Sequence, residues 1–384
     1  MLVFESCDRK KISFYVVSFI VCLALTGHSA ASVYVQPQAE SITLPYTPDS
    51  EFLSLSVEEK DLFSSEEVLH FKLIVDYKEL LKDRGEERGY HAAVISYKDK
   101  KGAVVTEELK VKVRGNRRRD PAVCKFPPLQ LNFKRSTVKH TVFGDVNKLK
   151  MVTHCIGDDY VLREYLVYKL YNIVTDRSFK VRLCLVSYED LHNKRKTEIR
   201  YGFLIEDDDS MAGRNGGVIV ADELRIRMDR TDSLSMAMLA VFQFMIGNTD
   251  WSVPYRHNIE IIHVAPDYVA VPFDFDYCGM VNAPYAQPPP ELGISSVQER
   301  LFRGYGFSDE IYKKVIDFFN LHRGEIYAVY NNSGMLSKRS KKYSLKYLDS
   351  FYKTLNRPKD FQREIVSAGD YNQKNIISIK GLEK

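Results

Sequence analysis

Asp250, Asn258 and Asp274 are the residues of this sequence whose types and order along the chain suit one chemistry, the transfer of a phosphoryl group. That reaction uses a carboxylate to orient or deprotonate the attacking hydroxyl, and hard oxygen ligands to hold Mg²⁺ on the phosphates. Asp250 is the candidate for the first role, and Asn258 and Asp274 are the candidates for the second. The alternative is that Asp250 and Asn258 cap a loop and that Asp274 is a turn residue.

A buried helix and a hairpin would bring these three side chains together. Residues 236–246 are an almost unbroken apolar run of good helix formers, which predicts a helix buried on most sides. Gly247-Asn248 predicts its end, because both residues suit a left-handed conformation. After a polar loop, two strand-like runs, 259–264 and 268–273, predict a hairpin that ends at Asp274. Helix, loop, hairpin and a further Asp follow one another in this order in a kinase catalytic centre.

Basic residues in the first half of the chain are candidates for binding phosphate. Arg114 begins a glycine turn between two predicted strands, where backbone N–H groups and guanidinium groups can reach a phosphate. The alternative for this turn is a basic hairpin tip in water. In a kinase, a strand lysine binds the phosphates and a helix glutamate positions it. Lys150, in a strand-like run, and Glu164, in a helix predicted over 160–174, are candidates for that pair. The rivals for the lysine are Lys125 and Lys134.

Length, composition and charge limit the possible classes of protein. A chain of 384 residues is long enough for one large domain or for two lobes with a sizeable core. The formal net charge of +4 does not argue for binding to nucleic acid or to a membrane surface. Basic clusters occur at 114–119, 194–196 and 338–342, and such clusters are usually solvated faces. We find no internal repeat.

The N-terminus has the pattern of a secretory signal peptide, predicted over residues 1–31. A basic stretch, Arg9-Lys10-Lys11, precedes the apolar residues 12–25, and small residues suited to cleavage follow. An uncleaved membrane anchor is the alternative, although the apolar run is short for a span. No second segment has the pattern of a membrane span. We therefore expect an exported protein, located in the periplasm, in the cell envelope or outside the cell.

Four cysteines follow the predicted signal peptide, at positions 124, 155, 184 and 278. They are widely spaced and include no CxxC pair, which argues against a zinc site. In an oxidising compartment some of them can pair, but their connectivity cannot be read from the sequence. Cys184 lies in the apolar run of a predicted strand, which favours a place in the core.

The remaining patterns divide the chain into a β-rich part and a helical part. A partly ordered leader is predicted over 32–67, and the loosest stretch, 212–217, marks the boundary between a β-rich lobe, 68–211, and a catalytic core, 212–304. A helical extension is predicted over 305–384. The predicted strands of the β-rich lobe are 70–77, 91–97, 103–113, 129–134, 148–155, 179–188 and 199–206, and the later predicted helices lie near 309–320 and 343–355.

The order of several motifs resembles that of the CotH (spore coat protein H) kinase-like family. The resemblance covers roughly residues 68–304. The motifs are the Arg-Gly-Asn turn at 114–116 with Pro-x-x-Leu-x-Phe at 128–133, the helix start at 159–163, Gly-x-x-x-x-Glu at 202–206, the loop that holds Asp250 and Asn258, and Asp274-Phe275-Asp276.

The resemblance implies an α+β, two-lobed kinase-like fold, with a β-rich N-terminal lobe and a mainly helical C-terminal lobe. It implies an enzyme that uses ATP and Mg²⁺ or Mn²⁺ to phosphorylate Ser or Thr of a protein substrate. Asp250 would be the catalytic residue, Asn258 and Asp274 the metal ligands, and Asp276 a second acidic group. The main alternative is an inactive kinase-like module with a binding or structural role in an envelope or coat. A further alternative is a metal-dependent phosphohydrolase with the same carboxylates.

Overall fold

Seven strands between residues 69 and 205 close into a barrel, in which the first strand also pairs with the sixth in parallel. The computed structural model describes residues 62–144 and 146–375. The barrel strands are β1 (Leu69–Val75), β2 (His91–Lys98), β3 (Val104–Val113), β4 (Leu129–Phe133), β5 (Lys148–Val152), β6 (Val181–Asp190) and β7 (Glu198–Ile205), in the spatial order β1-β2-β3-β4-β5-β7-β6.

The barrel closes around an apolar interior because its strands alternate in side-chain type. In β1, Phe71, Leu73 and Val75 are buried and Lys72 is exposed, which is the period of two that a half-buried strand requires. Leu131 of β4 belongs to the same hydrophobic cluster and is completely buried. The interior of the barrel is therefore a core of aliphatic and aromatic side chains.

Helices and a small sheet make up most of the rest. The three-stranded sheet contains β8 (Val218–Ile219), β9 (Ile259–Val264) and β10 (Asp267–Pro272). The α-helices are α1 (Tyr77–Lys82), α2 (Arg135–Val138), α3 (Asp158–Val174), α4 (Asp208–Arg214), α5 (Ser233–Ile246), α6 (Asp309–Leu321), α7 (Arg323–Asn331), α8 (Lys338–Leu355), α9 (Pro358–Phe361) and α10 (Ser367–Lys374), with short 3₁₀ turns at Arg117–Arg119, Met228–Arg230 and Pro290–Leu292 and a π turn at Gln362–Val366.

Helix α5 is the buried helix that the apolar run predicts. Asp232 caps its start by accepting a hydrogen bond from the backbone N–H of Ser235, at 2.8 Å. Gly247 ends it at φ 66°, a left-handed conformation that glycine adopts without steric cost. The predicted position, type and end of this element are confirmed.

Helix α3 lies between the barrel and α5, in the second hydrophobic cluster of the protein. Its Tyr168 ring contacts Phe203 of β7 on one side, at 5.5 Å between centroids, and Phe275 on the other, at 4.7 Å. Tyr171, one turn further on, contacts Phe242 of α5 at 4.6 Å. These aromatic contacts fix α3 against the barrel wall and against the segment that follows β10.

The mixed α+β class and the β-rich first part are confirmed, and the strands lie within a few residues of their predicted positions. Two features differ from the prediction: the stretch expected to loosen begins inside α4, and β5 ends at Val152 and not at Cys155. Cys155 forms a disulfide with Cys124, a pairing that the sequence left open. Cys184 is completely buried, as expected. A division into two lobes stays a prediction, since the described residues form one compact unit.

The predicted signal peptide, 1–31, and residues 32–61 of the predicted leader lie outside the described residues. No helix within 62–144 and 146–375 combines the length and apolar character that a membrane crossing requires.

Candidate active site

Asp250 lies in the loop between α5 and β9, and its carboxylate is held by two neighbouring side chains. Nε2 of His257 lies 2.9 Å from Oδ1, and Nδ2 of Asn258 donates to Oδ2 at 3.0 Å. The same amide nitrogen also lies 2.8 Å from the backbone oxygen of Asp250. The carboxylate is about one-fifth exposed, with a side-chain accessibility of 22%. Asp250 therefore has a fixed orientation and remains open to solvent.

This loop folds back on itself because residues near its two ends pair. The backbones of Ser252 and His257 exchange two hydrogen bonds of 2.9 and 3.0 Å. Arg256 and Asn258, on either side of His257, have φ values of 48° and 53°. A left-handed non-glycine residue costs roughly 1–3 kcal/mol and persists only where its surroundings fix it. Arg256 is fixed in this way, since its buried guanidinium donates to the backbone oxygen of Val220 at 2.8 Å.

The β9–β10 hairpin brings Asp274 next to Asn258. Ile259 pairs with Pro272 at the open end of the hairpin, and the backbone N–H of Phe273 donates to the backbone oxygen of Asn258 at 3.0 Å. Asp274 follows directly, at φ 58°. The structure therefore brings Asp250 into contact with Asn258 and places Asp274 directly after the residue whose backbone pairs with Asn258.

Arg118 occupies the centre of the site, although the sequence analysis named it only as part of a basic run. Its guanidinium bonds to Glu164 of α3 at 2.9 Å, to Asp276 at 3.1 Å and to Asp274. The side chain is only 7% exposed. One cation thus joins α3 to the segment after β10 through three carboxylates.

Burial and neighbouring charges shift the pKa values of these three carboxyl groups by different amounts and in different directions. Burial raises the pKa of Glu164 to about 7, against the attraction of Arg118. Burial also raises the pKa of Asp276 well above its ordinary value, and the neighbouring Asp274 and Glu164 add to that effect. For Asp274 burial acts in the same direction, but Arg118 and Arg114 outweigh it and lower the pKa. Burial and charge thus shift the two carboxyl pKa values in opposite directions, down for Asp274 and up for Asp276.

Lys150 and Arg114 face Asp274 across a small cavity. The cavity measures about 10 Å³, room for about one water molecule, and Tyr168 also lines it. Nζ of Lys150 lies 2.6 Å from Oδ1 of Asp208, the first residue of α4, and 5.2 Å from the ring centre of Phe273. Two cations therefore lie near Asp274, one of them engaged by a carboxylate.

The expected pairing of Lys150 with Glu164 is not the one that the structure shows. Glu164 binds Arg118, because the 3₁₀ turn at Arg117–Arg119 inserts next to α3, and Lys150 binds Asp208 instead. The side chain of Lys125 is exposed, and its backbone oxygen accepts a hydrogen bond from Arg84 at 2.7 Å, so the structure does not bring it into this cavity.

Asp276 also differs from its expected place as an acidic group facing a metal. Its carboxylate is turned inward, where Tyr285 donates to it at 3.0 Å and Arg118 contacts it. Only 4% of the residue is exposed. A carboxyl group that faces inward and is held by Arg118 and Tyr285 is not placed to bind a metal ion in the cleft.

Arg118, His257 and Asp208 are site residues that sequence reasoning did not assign. Two of them had a local signal, since His257 precedes Asn258 directly and Asp208 belongs to an acidic run at the end of a strand. Arg118 is one of three consecutive arginines, and only the fold shows which of them turns inward.

The residues suit a metal ion that arrives together with phosphates. Within the described ranges, no set of three His, Cys, Asp or Glu side chains is arranged to hold a metal ion. Asn258 and Asp274 are nevertheless neighbours that carry hard oxygen atoms, and the amide nitrogen of Asn258 faces Asp250, which leaves Oδ1 for a cation. Mg²⁺ is commonly held by one or two such protein ligands plus substrate phosphates. The donor set fits that mode of binding.

Comparison with known proteins adds a structural similarity. No family model matches the chain, and no curated protein matches it. The structure is similar to the crystal structure of a proinflammatory kinase, CtkA, from Helicobacter pylori, with 9% sequence identity and a TM-score of 0.34 over 76% of this chain and 96% of that chain. A similarity at this TM-score does not support a functional conclusion, and the resemblance to the CotH kinase-like family stays a prediction.

Proposed function

We propose that this protein is a phosphotransferase that moves the γ-phosphate of ATP to a hydroxyl group, with Ser or Thr of a protein as the acceptor. The observation that carries this proposal is the contact of Asp250 with Asn258 next to Asp274, at the open end of one hairpin. A carboxylate for the hydroxyl and two oxygen ligands for a cation are what the reaction requires from the protein.

Asp250 would orient the acceptor hydroxyl and take up its proton. The acceptor oxygen forms a bond to the γ-phosphorus, the bond from that phosphorus to the bridging oxygen breaks, and ADP leaves with the electron pair. Asp250 suits this role because His257 and Asn258 fix its orientation while about one-fifth of its side chain stays exposed.

Asn258 and Asp274 would hold Mg²⁺ or Mn²⁺, which when bound neutralises charge on the phosphates. Arg114 and Lys150 are the cations placed to contact the phosphates, since both line the cavity next to Asp274. A nucleotide needs far more than the present 10 Å³, since small-molecule pockets measure about 300–1,000 Å³. Binding of ATP therefore includes an opening of this cavity, in which Lys150 exchanges Asp208 for phosphate.

Export is part of the proposal. The predicted signal peptide supports it, and so does the disulfide between Cys124 and Cys155, because disulfides persist mainly in oxidising compartments. The acceptor protein would then be met in a secretory lumen, in an envelope or outside the cell.

Nucleotide binding is the first property to measure, by thermal unfolding with ATP in the presence and absence of Mg²⁺ or Mn²⁺. A ligand at one hundred times its Kd stabilises the native state by about 2.7 kcal/mol, so the melting temperature should rise with concentration only when metal is present. Asp274→Ala should remove the metal-dependent rise. Asp267→Ala, in the exposed turn of the same hairpin, is the matched control and should keep it.

Turnover is the second measurement, with radiolabelled ATP and a general protein acceptor. Asp250→Asn should lower kcat about 10²–10⁴-fold and leave nucleotide binding nearly unchanged, since the amide keeps the shape and loses the base. Equal turnover in Asp250→Asn and in wild type would show that this carboxylate is not the catalytic group. ATP hydrolysis without any protein acceptor would point to the phosphohydrolase.

A binding module without catalysis is the second candidate. The observation that favours it is the engagement of Asp274 by Arg118 beside a cavity of about 10 Å³, because the site is already neutralised internally. Absence of any thermal shift at millimolar ATP and metal would favour this candidate over the enzyme.

A further inference from the structure

We infer that Arg118 is a positioning residue for Asp274: it holds one oxygen of that carboxylate toward the interior, so that the other faces a metal ion in the cleft. The inference rests on the phosphotransfer proposed above. In place of the expected pair of Lys150 and Glu164, Glu164 pairs with Arg118. The glutamate orients the arginine, and the arginine orients Asp274, the metal ligand.

The contacts of Arg118 show that it positions carboxylates and does not bind phosphate. Nη1 lies 2.9 Å from Oε2 of Glu164, and Nη2 contacts Oδ1 of Asp274 and lies 3.4 Å from Oε1 of Glu164. Nε lies 3.1 Å from Oδ2 of Asp276. All three nitrogens are thus engaged by protein carboxylates in a side chain that is only 7% exposed. A phosphate in the cleft would have to compete with each of them.

Asp274 is anchored to α3 by two routes. Its backbone N–H donates to the hydroxyl oxygen of Tyr168 at 2.8 Å, and its carboxylate reaches Glu164 through Arg118. Tyr168 lies one helical turn after Glu164, so the same face of α3 fixes both the backbone and the side chain of Asp274. The side chain of Asp274 as a whole is 36% exposed and lines the small cavity together with Arg114 and Lys150. Arg118 therefore fixes Oδ1 toward the interior, and the partial exposure of the side chain leaves the second oxygen within reach of the cleft.

The shape of the guanidinium is what this arrangement uses. A guanidinium presents donors in a rigid planar fork, whereas an ammonium group is a compact point charge. Lysine at position 118 would keep the positive charge but could not make the forked contact with Glu164 and reach Asp274 and Asp276 from the same plane. Groups that orient a metal ligand typically change metal affinity about 10–100-fold when they are altered.

The test is the affinity of the protein for Mn²⁺ together with ATP, measured by the enhancement of water-proton relaxation, which separates Mn²⁺ on the protein from Mn²⁺ on free ATP. We expect Arg118→Lys to raise the Kd for Mn²⁺ about 10–100-fold relative to wild type. Arg119→Lys is the matched control, because the neighbouring Arg119 bonds to Glu86, whose side chain is 85% exposed. It should bind Mn²⁺ as wild type does.

Each outcome decides the inference. If wild type and Arg118→Lys bind Mn²⁺ equally, the positioning role is wrong and the phosphotransferase stands. If wild type with ATP binds no Mn²⁺, both fall together. Should Arg118→Lys fail to fold, Glu164→Gln takes its place, since it keeps the shape of the helix side chain and weakens its hold on Arg118. A weaker Mn²⁺ affinity in Glu164→Gln supports the inference, and an unchanged affinity overturns it.

Discussion

The interior of the barrel and the cluster around Arg118 are two ways of filling a protein interior. In the barrel, buried aliphatic side chains such as Leu73 and Leu131 come from paired strands and need no particular partner. In the cluster, one guanidinium meets three carboxylates, and its partners Glu164 and Asp274 are 46 and 156 residues away along the chain. The barrel tolerates any apolar side chain of suitable size, whereas the cluster functions only as a set.

The barrel interior should contribute mainly to stability, whereas the cluster around Arg118 should contribute mainly to function. Apolar burial contributes stability in proportion to area, while a buried ion network is weak support for stability because desolvation offsets most of the attraction. A network that adds little stability is therefore a natural place to look for a role in binding or catalysis. The comparison can be tested by damaging each interior in turn.

The largest effect should result from Arg118→Met. Removal of the cation takes the charge partner from the buried Glu164 and Asp276 and from the partly exposed Asp274, and breaking a buried ion pair in this way costs about 3–5 kcal/mol of unfolding free energy. Urea denaturation measures it. Arg119→Met, the control, should change stability by less than about 1 kcal/mol, because its partner Glu86 is on the surface. Equal effects of the two substitutions would show that the cluster is not a unit.

Leu131→Ala should damage the barrel and leave the cluster intact. Leu131 is completely buried in β4, and truncation of such a leucine costs roughly 3 kcal/mol through lost burial and the cavity that remains. The same denaturation experiment measures the loss. Mn²⁺ affinity of the folded protein should not change, and a parallel loss of affinity would contradict the separation of the two interiors.

Acidification should act on the barrel through His154. Burial lowers the pKa of His154 to about 4, and its ring lies 4.8 Å from that of Phe126. Because the folded-state pKa lies below the unfolded value of about 6.5, the contribution of neutral His154 to stability is complete above pH 6.5 and is lost as the pH falls toward 4. The loss should reach about 2 kcal/mol at pH 5.

The variant His154→Phe isolates this effect, because it keeps an aromatic ring and removes the titration. Between pH 7.5 and 5, the unfolding free energy of wild type should fall by about 2 kcal/mol more than that of the variant. His140→Phe, at an exposed position, is the control for the replacement of a histidine by phenylalanine outside the core. A constant difference between wild type and His154→Phe would mean that His154 does not titrate in this range.

The elements whose residues alternate or recur locally were predictable from the sequence. The strands of the barrel, the buried helix α5 with its end at Gly247, and the hairpin that leads to Asp274 all have patterns that depend on neighbours within a few positions. For the same reason the loop and hairpin part of the site, Asp250, Asn258 and Asp274, could be singled out. In the structure Asp250 contacts Asn258, and Asp274 directly follows the residue whose backbone pairs with Asn258.

The partners within the cluster could not be predicted, because no local pattern selects them. Glu164 lies outside the apolar stripe expected for α3, and it is buried because the barrel, α5 and the arginine turn surround that helix on nearly all sides. The choice of Arg118 over its neighbours depends on the direction of a 3₁₀ turn, and the pairing of Lys150 with Asp208 depends on the closure of the barrel at β5 and β7. Tertiary packing decides each of these contacts.

The disulfide between Cys124 and Cys155 shortens the covalent path between Arg118 and Glu164, the two members of the cluster that precede and follow it along the chain. Arg118 and Glu164 are 46 residues apart along the backbone, and the bridge spans 31 of those residues, which leaves a tether of about 15. A shorter tether raises the effective concentration of Arg118 at Glu164. Shortening it from 46 to about 15 residues lowers the entropic cost of bringing the two together by about 1 kcal/mol. The pairing of two cysteines outside the Arg118 cluster thereby favours the contact of the arginine turn with α3.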